Sequence, residues 1–202
     1  MKKALKSLLV AMLAVTVMLA FTACGEEEAA EKAVNSTMEA LQEATLDEDS
    51  DAAKTLKKEI GSLNMPGLDE DAFVKALFGN MKYEITDTEK KDSDTVEVTM
   101  KVTNVDMKNA ANKWVAQAKK DVTNTNSELY KAAVSGSTTK MYQVLFDSLF
   151  DQIDKNKSKT VTEEITVEVK KNDDGDWQME PTSSDINKMC GNIMDAMASV
   201  QW

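Results

Sequence analysis

The sequence predicts an α+β protein in which an antiparallel sheet of about four strands packs against helices. Apolar residues recur every three to four positions in some segments and every second position in others, which indicates both helices and half-buried strands. The segments of period two come in two pairs, and each pair is separated by a short polar turn, as in antiparallel hairpins. The predicted order is helices, hairpin, helices, hairpin and helix.

Three helices are predicted before the sheet. A stripe at helical spacing marks the first, over residues 26–44, and consists of Ala30, Val34, Met38 and Leu41. The segment DAAKTLKKEI predicts a second helix, which ends at Gly61, and SLNMPG predicts a loop. Asp69 is the expected N-cap of the third helix, with Leu68 and Phe73 as its hydrophobic staple.

The segments MKYEITD and TVEVTMKVTNV, separated by the polar TEKKDSD, predict the first hairpin. The residues expected to face a core are Val96, Val98, Met100 and Val102. Those expected to face water are Glu97, Thr99, Lys101 and Thr103. This alternation is typical of a sheet with one buried face and one solvated face.

Helical spacing returns between the hairpins. The apolar stripe of DMKNAANKWVAQAKKDV consists of Ala111, Trp114, Val115, Ala118 and Val122. The pattern leaves open whether this helix continues past TNTNSE to Leu129, Tyr130 and Ala133. After the break at SGST, the most apolar amphipathic helix follows. Its stripe consists of Met141, Tyr142, Leu145, Phe146, Leu149, Phe150 and Ile153.

The second hairpin is predicted from TVTEEITVEVKK and WQMEP, joined by NDDGD with its Asp-Gly turn signal. The core side of its first strand consists of Ile165, Val167 and Val169. Pro181 ends the hairpin, and TSSD predicts the start of one carboxy-terminal helix. The apolar face of that helix consists of Ile186, Met189, Cys190, Ile193, Met194 and Met197. Cys190 is therefore expected to be a core residue rather than a reactive thiol.

Composition limits the chemistry. The formal net charge is -11, or -14 once the three lysines of residues 1–23 are left out, so nucleic acids and anionic lipid surfaces would repel the chain. The chain contains neither His nor Arg. It therefore has no Ser-His-Asp triad, no imidazole ligand for a metal and no guanidinium clamp for phosphate. A carboxylate, Lys or Tyr remains available for acid–base chemistry.

The amino terminus carries the features of an export signal. The basic segment MKKALK precedes an apolar run of 16 residues from Leu8 to Ala23. This run is shorter than the roughly 20 residues that a membrane-spanning helix needs. The FTAC motif that ends it resembles the lipobox of bacterial lipoproteins. Thr22, Ala23 and Cys24 match that motif, whereas Phe21 stands where the family prefers Leu.

This resemblance implies that residues 1–23 are removed as a signal peptide and that Cys24 then carries a diacylglycerol thioether and fatty acids such as palmitate. The lipid would hold the protein on the outer side of the cell membrane. Residues 24–32 would form the lipidated cysteine and an acidic tether, and residues 33–202 a single α+β domain. A cleaved signal without lipid and an uncleaved anchor are the alternatives.

Two further segments carry a second resemblance. VTEEITVEVKKNDDGDWQME looks like the closing hairpin of nuclear transport factor 2-like (cystatin-like) domains, and MEALQEATLDEDSDAAKTL is similar to their opening helices. The resemblance implies a cone in which helices lie in the concave face of a curved sheet. Here a long helical insertion lies between the hairpins and a carboxy-terminal helix is added. This superfamily carries many functions, so the likeness says little about activity.

The candidate ligand-pocket residues are Tyr83, Trp114, Tyr142 and Trp177, although both tryptophans also fit a core position. No catalytic residue or cofactor is predicted. No metal ligand is predicted either, because DEDSD and NDDGD lack the spacing of a calcium loop. The expected function is a lipid-anchored extracytoplasmic binding or accessory domain, for a small molecule or an envelope protein and not for nucleic acid. An enzyme that uses a pocket carboxylate with a Tyr, and a self-associating envelope protein, are the alternatives.

Overall fold

The computed structural model describes residues 25–62 and 64–199, which form eight helices and one four-stranded antiparallel sheet. The strands are β1 (Lys82–Lys90), β2 (Thr95–Val105), β3 (Thr160–Lys171) and β4 (Trp177–Glu180). The helices before the sheet are α1 (Glu26–Leu46), α2 (Asp51–Gly61) and α3 (Glu70–Phe78). The later helices are α4 (Met107–Asp121), α5 (Glu128–Val134), α6 (Thr138–Lys155), α7 (Ser183–Met189) and α8 (Ile193–Ser199). The predicted α+β class and the antiparallel sheet of four strands are confirmed.

The sheet buries one face. Its strands lie in the order β1-β2-β3-β4, so β1 and β4 are the edges. The predicted inward residues of β2 and β3 are buried: Val96, Val98, Met100, Val102, Ile165, Val167 and Val169. On the other face, the Thr99 and Thr166 hydroxyls lie 2.9 Å apart, and the Thr103 and Thr162 hydroxyls lie 2.7 Å apart. The alternation read from the sequence therefore gives the correct buried face of β2 and β3.

Helix α1 covers the buried face and contacts all four strands. Small side chains let the helix approach the sheet closely, because much of its buried stripe is alanine. This stripe consists of Ala29, Ala30, Ala33, Val34, Met38, Leu41 and Ala44. The stripe begins in the first turn, so residues 26–32 are a packed part of the domain rather than the solvated tether expected from their charge.

Local signals start the helices where the sequence places them. The Asp69 carboxylate accepts a hydrogen bond from the Ala72 amide, which confirms Asp69 as the N-cap of α3. Thr182 and Asp185 form a reciprocal capping box at the start of α7. Each bond satisfies a backbone amide that the helix itself leaves without a partner.

The helices between the hairpins differ from the expected pattern at Val122 and along α6. The sequence left open whether α4 continues; it ends at Asp121, and Ser127, which accepts from the Tyr130 amide, starts the separate helix α5. Val122, predicted on the apolar stripe of α4, is 49% exposed beyond the helix end. In α6 only Leu149 and Ile153 are fully buried, and the remainder of its apolar stripe is half-buried or exposed.

The prediction of one carboxy-terminal helix is wrong. Helices α7 and α8 are separated at Gly191 and Asn192, which both have positive φ angles of about 60°. The backbone here turns to dock on the start of α4, where the Met107 amide donates to the Gly191 carbonyl at 3.1 Å. Cys190 is fully buried at this break, which confirms it as a core residue.

Asn104 connects three elements inside the core. Its side chain is 1% exposed, and its amide nitrogen donates to the Leu77 and Met189 carbonyl oxygens, both at 2.8 Å. Its amide oxygen accepts from the Val105 amide at 2.7 Å. Leu77 and Met189 lie in the last turns of α3 and α7, where helix carbonyls lack intrahelical partners. One side chain on β2 therefore satisfies both helix ends.

We expect Asn104→Ala to lower the free energy of unfolding by about 2–4 kcal/mol, because it leaves two buried carbonyls and one buried amide without partners. Urea unfolding of the chain from Gly25 onward measures this loss. The matched control is Asn126→Ala in the exposed α4–α5 loop, which should change stability by less than about 0.5 kcal/mol. Equal losses in the two variants would contradict the role of Asn104.

Gly191 and Gly136 form a second matched pair, because their φ angles are 63° and 71°. A Cβ at Gly191 would lie 2.0 Å from the Val105 carbonyl oxygen, whereas a Cβ at Gly136 would meet nothing within 4 Å. Gly136→Ala should cost about 1 kcal/mol for the backbone conformation alone. Gly191→Ala should cost at least about 2 kcal/mol more, since it separates the turn from β2. Thermal unfolding of both variants checks this difference, and similar melting temperatures would refute it.

Candidate functional site

Helix α1 runs antiparallel to the edge strand β1, and a row of polar contacts joins them. In order along the helix, these contacts are the Glu26–Lys90 ion pair, the Thr88 hydroxyl donating to Glu31 at 2.8 Å, the Tyr83 hydroxyl donating to Asn35 at 3.0 Å, and the Gln42 amide donating to the Met81 carbonyl at 3.2 Å. We call this row the α1–β1 seam. The seam fixes the position of the helix over the strand that has no second neighbour in the sheet.

A shallow, open groove of about 640 Å³ lies along the seam. Helix α1 and strand β1 line it with Glu31, Asn35, Gln42, Lys82, Tyr83, Glu84 and Ile85. Two carboxylates and one ammonium give the lining a negative balance. Burial of Tyr83, and secondarily the nearby Glu39 carboxylate, raise the pKa of its hydroxyl, so Tyr83 is neutral at physiological pH and can donate to Asn35.

The structure does not bring the four predicted pocket residues together. Tyr83 lines the groove. Trp114 is buried, and its ring nitrogen donates to the Leu145 carbonyl at 3.0 Å, so it joins α4 to α6. Trp177 is buried in β4 beneath Lys171, whose ammonium lies 5.0 Å from the ring centroid. Tyr142 is 39% exposed on α6.

Sequence analysis missed the groove residues of α1. Glu31, Asn35 and Gln42 carry no motif, and they lie on the border between the apolar and polar sides of an amphipathic helix. Periodicity identifies that border but does not say which border faces a strand. Half-burial distinguishes these three positions from the alanines beside them, and that burial is known only from the structure.

A carboxylate beside a tyrosine is the geometry that the enzyme alternative requires. Among the described residues, Asp185 is the buried carboxylate, and it accepts from the Thr182 amide and hydroxyl in the capping box of α7. The Tyr83 hydroxyl donates to an amide oxygen, that of Asn35. No carboxylate in this part of the chain is both buried and hydrogen-bonded to a tyrosine.

The two acidic segments fold as turns. The Asp47 carboxylate accepts from the Asp49 amide at 2.9 Å, and the Asn172 side chain accepts from the Asp174 and Asp176 amides. Gly175 has a φ of 90°, as the Asp-Gly turn signal predicts. Within residues 25–62 and 64–199, no group of three or more Cys, Asp or Glu side chains is placed to hold a metal ion.

The open face of the sheet carries an unexpected row of carboxylates. Strand register places Glu89 opposite Glu97, Glu97 opposite Glu168, and Glu168 opposite Glu180. Like charges in directly opposed positions repel one another. Two lysines offset this repulsion: Lys91 contacts the first pair at 2.7 and 2.9 Å, and Lys170 contacts the second pair at 2.6 and 3.1 Å. The two lysines therefore offset half of the charge of the four glutamates, and these hydrogen bonds raise the pKa of both lysines.

An aromatic row lies on the side of α6 that the core leaves half-exposed. The Tyr142 and Phe146 rings stack with centroids 6.4 Å apart, and Phe146 and Phe150 stack at 6.3 Å. Phe150 also meets Phe73 of α3 at 6.2 Å. These centroid distances are typical of favourable aromatic pairs. Two of the pairs lie within α6, and the pair of Phe73 with Phe150 joins α6 to α3.

No protein-family model, curated protein or solved structure matches this chain. In the part of the chain that the structure describes, no helix is both long enough and apolar enough to cross a bilayer. The α+β architecture is therefore established from the coordinates alone, and functional conclusions depend on the seam, the groove and the amino-terminal sequence.

Cys190 gives a pH-dependent test of the core. Complete burial raises the pKa of its thiol to about 12. Above about pH 8.5 the unfolded chain loses this proton while the folded chain retains it, so the free energy of unfolding should fall by up to about 1.4 kcal/mol per pH unit as the pH rises towards 12. Urea unfolding between pH 8 and pH 11 should show a steeper decline for the natural chain than for Cys190→Ala. Parallel declines would show that this thiol is accessible to solvent in the folded state.

Proposed function

We propose that this protein is a lipid-anchored extracytoplasmic binding or accessory domain. The observation that carries the proposal is the junction FTACG, in which an export-type apolar run ends at Cys24 directly before a packed domain. Cys24 itself lies outside the described residues. A bacterial lipobox at this position would place the attached lipid next to the first turn of α1.

The charge of the chain supports a covalent anchor. With a net charge of -14 beyond residue 23, the domain is repelled by anionic lipids, so electrostatic attraction does not hold it at a membrane. A single acyl chain binds a bilayer only reversibly, whereas a diacylglycerol thioether supplies two chains and holds the protein stably. A lipid on Cys24 would therefore supply the attachment that the acidic surface lacks.

We further propose that the fold is related to the nuclear transport factor 2-like superfamily. The supporting features are one helix-covered face of the sheet, two hairpins in sequence order, and opening helices that precede them. In this interpretation α4, α5 and α6 are an insertion between the hairpins, and α7 and α8 are a carboxy-terminal addition. The superfamily relation implies no particular activity.

The groove along the α1–β1 seam is the proposed binding site. The Asn35 amide nitrogen and the Gln42 amide oxygen border it and are not used in the seam bonds, since those bonds occupy the opposite atoms of each amide. Glu31 and Glu84 outnumber Lys82, so the lining favours a polar ligand that is neutral or positively charged. No observation within the described residues favours the acid–base enzyme or the self-associating envelope protein over this proposal.

The mass of the mature protein tests the anchor. The natural chain purified from membranes of a bacterial host should begin at Cys24 and carry a lipid increment, and Cys24→Ser should lack that increment. Cys190→Ala is the matched control, because it removes the other cysteine and should leave the lipid in place. A natural chain whose mass equals that of its polypeptide alone would refute lipid attachment.

A thermal-shift screen tests binding in the groove. The sample begins at Gly25, since residues 26–32 belong to α1, and the probes are polyamines, amino acids and short basic peptides. A ligand present at about 100 times its Kd should raise stability by about 2.7 kcal/mol. Asn35→Ala should abolish the shift, while Tyr142→Phe, on the exposed surface of α6, should retain it. A shift that survives Asn35→Ala would place the ligand elsewhere.

A further inference from the structure

No flexible spacer separates the proposed lipid from the folded domain. Gly25 is the one residue between Cys24 and α1, and its carbonyl oxygen already accepts from the Ala29 amide at 3.0 Å. Ala29 and Ala30 are 3% and 0% exposed. One extended residue covers at most about 3.6 Å. An anchor at Cys24 would therefore be coupled almost directly to the core.

The seam defines which end of the molecule lies beside this anchor. Because α1 runs antiparallel to β1, Glu26 meets Lys90 at the end of β1, where the turn 91–94 begins. The Lys171 amide donates to the Asp94 carbonyl at 2.9 Å, which brings the turn 172–176 to the same end. We define the hairpin end as residues 26–28, 91–94 and 172–176.

The opposite end of the molecule lies one helix length away. Helix α1 has 21 residues, which corresponds to about 30 Å at 1.5 Å per residue. It ends at Leu46, which is 87% exposed, and the turn 47–50 follows. We define the far end as residues 46–50. The groove extends along the helix from Glu31 towards this far end.

We propose that the hairpin end faces the phospholipid headgroups of the bilayer that holds the anchor, and that the far end and the groove project away from it. This inference rests on the lipid at Cys24 proposed above. The restraint is steric: a link of one residue lets the domain tilt about its attachment point but does not let the hairpin end leave the membrane surface. The headgroups are thus a contact surface for two β-turns, and the groove remains open to solutes.

Charge does not attract the hairpin end to the membrane. The hairpin end carries Glu26, Glu27 and Glu28 and the aspartates of both turns, and its nearest lysines only partly offset them. Acidic groups gain nothing from contact with phosphate-bearing headgroups. The covalent link is therefore the interaction that holds this end close to the bilayer.

Fluorescence quenching on vesicles tests the orientation. Full-length lipidated protein is inserted into phosphatidylcholine vesicles that contain a headgroup-attached quencher. A dye is placed on Asp173→Cys at the hairpin end or on Glu48→Cys at the far end, and both positions are exposed. Cys190 stays unlabelled because it is buried. The loss of fluorescence should be at least about twofold greater at position 173, since the two ends are about 30 Å apart.

The control is a flexible Gly/Ser spacer of about ten residues inserted between Gly25 and Glu26, which should bring the two losses close to equality. Equal quenching at both positions without the spacer would overturn the proposed orientation and leave the lipid anchor intact. A natural chain that carries no lipid and does not bind vesicles would overturn the anchor and the orientation together. Greater quenching at position 48 would show that the far end faces the bilayer.

Discussion

The amide of Asn104 is the interaction on which the packing of separate elements depends. Asn104 lies on the inward face of β2, after four hydrophobic residues on the same face. Its amide nitrogen donates to one carbonyl in the last turn of α3 and to one in the last turn of α7. A hydrophobic residue there would preserve the alternation but leave two carbonyls buried without donors. Because the neighbouring Gly191 turn approaches the Val105 backbone closely, the same junction also sets where α4 begins. The arrangement of the helices around the core therefore depends on the hydrogen bonds of Asn104 as well as on the burial of apolar side chains.

Helix α1 connects this core to the proposed function. Its alanine stripe lies against the sheet, and its polar border forms the seam with β1. The seam contacts the side chains of an edge strand, which has one neighbour in the sheet. The same contacts shape the groove and bring the amino terminus to the hairpin end. One helix thus closes the core, lines the proposed binding site and determines how an anchored domain would stand on a membrane.

The strong negative charge is organised differently at different surfaces. On the open face of the sheet, Lys91 and Lys170 each join two opposed glutamates, so the repulsion within each pair is partly offset. In the groove, Glu31 and Glu84 face one lysine and leave a negative balance. At the hairpin end the carboxylates lie in exposed turns. Net charge alone would have assigned the same character to all three surfaces, whereas the register and the turns distinguish them.

The sequence by itself determined the class of the protein and the type of nearly every element, because the information is local. Period-two and helical spacing, the Asp-Gly turn, and the caps at Asp69 and Thr182 act within a few residues of one another. Tertiary structure decided where helices stop and which polar residues meet. Gly191 divides a continuous helical pattern because Val105 lies beside it, and the aromatic side of α6 is half-exposed because α4 and α5 cover only part of it. Of the candidate site, Tyr83 was predicted from the sequence and its partners on α1 were not. Tyr83 and Asn35 are 48 positions apart, and periodicity reports only on neighbouring residues.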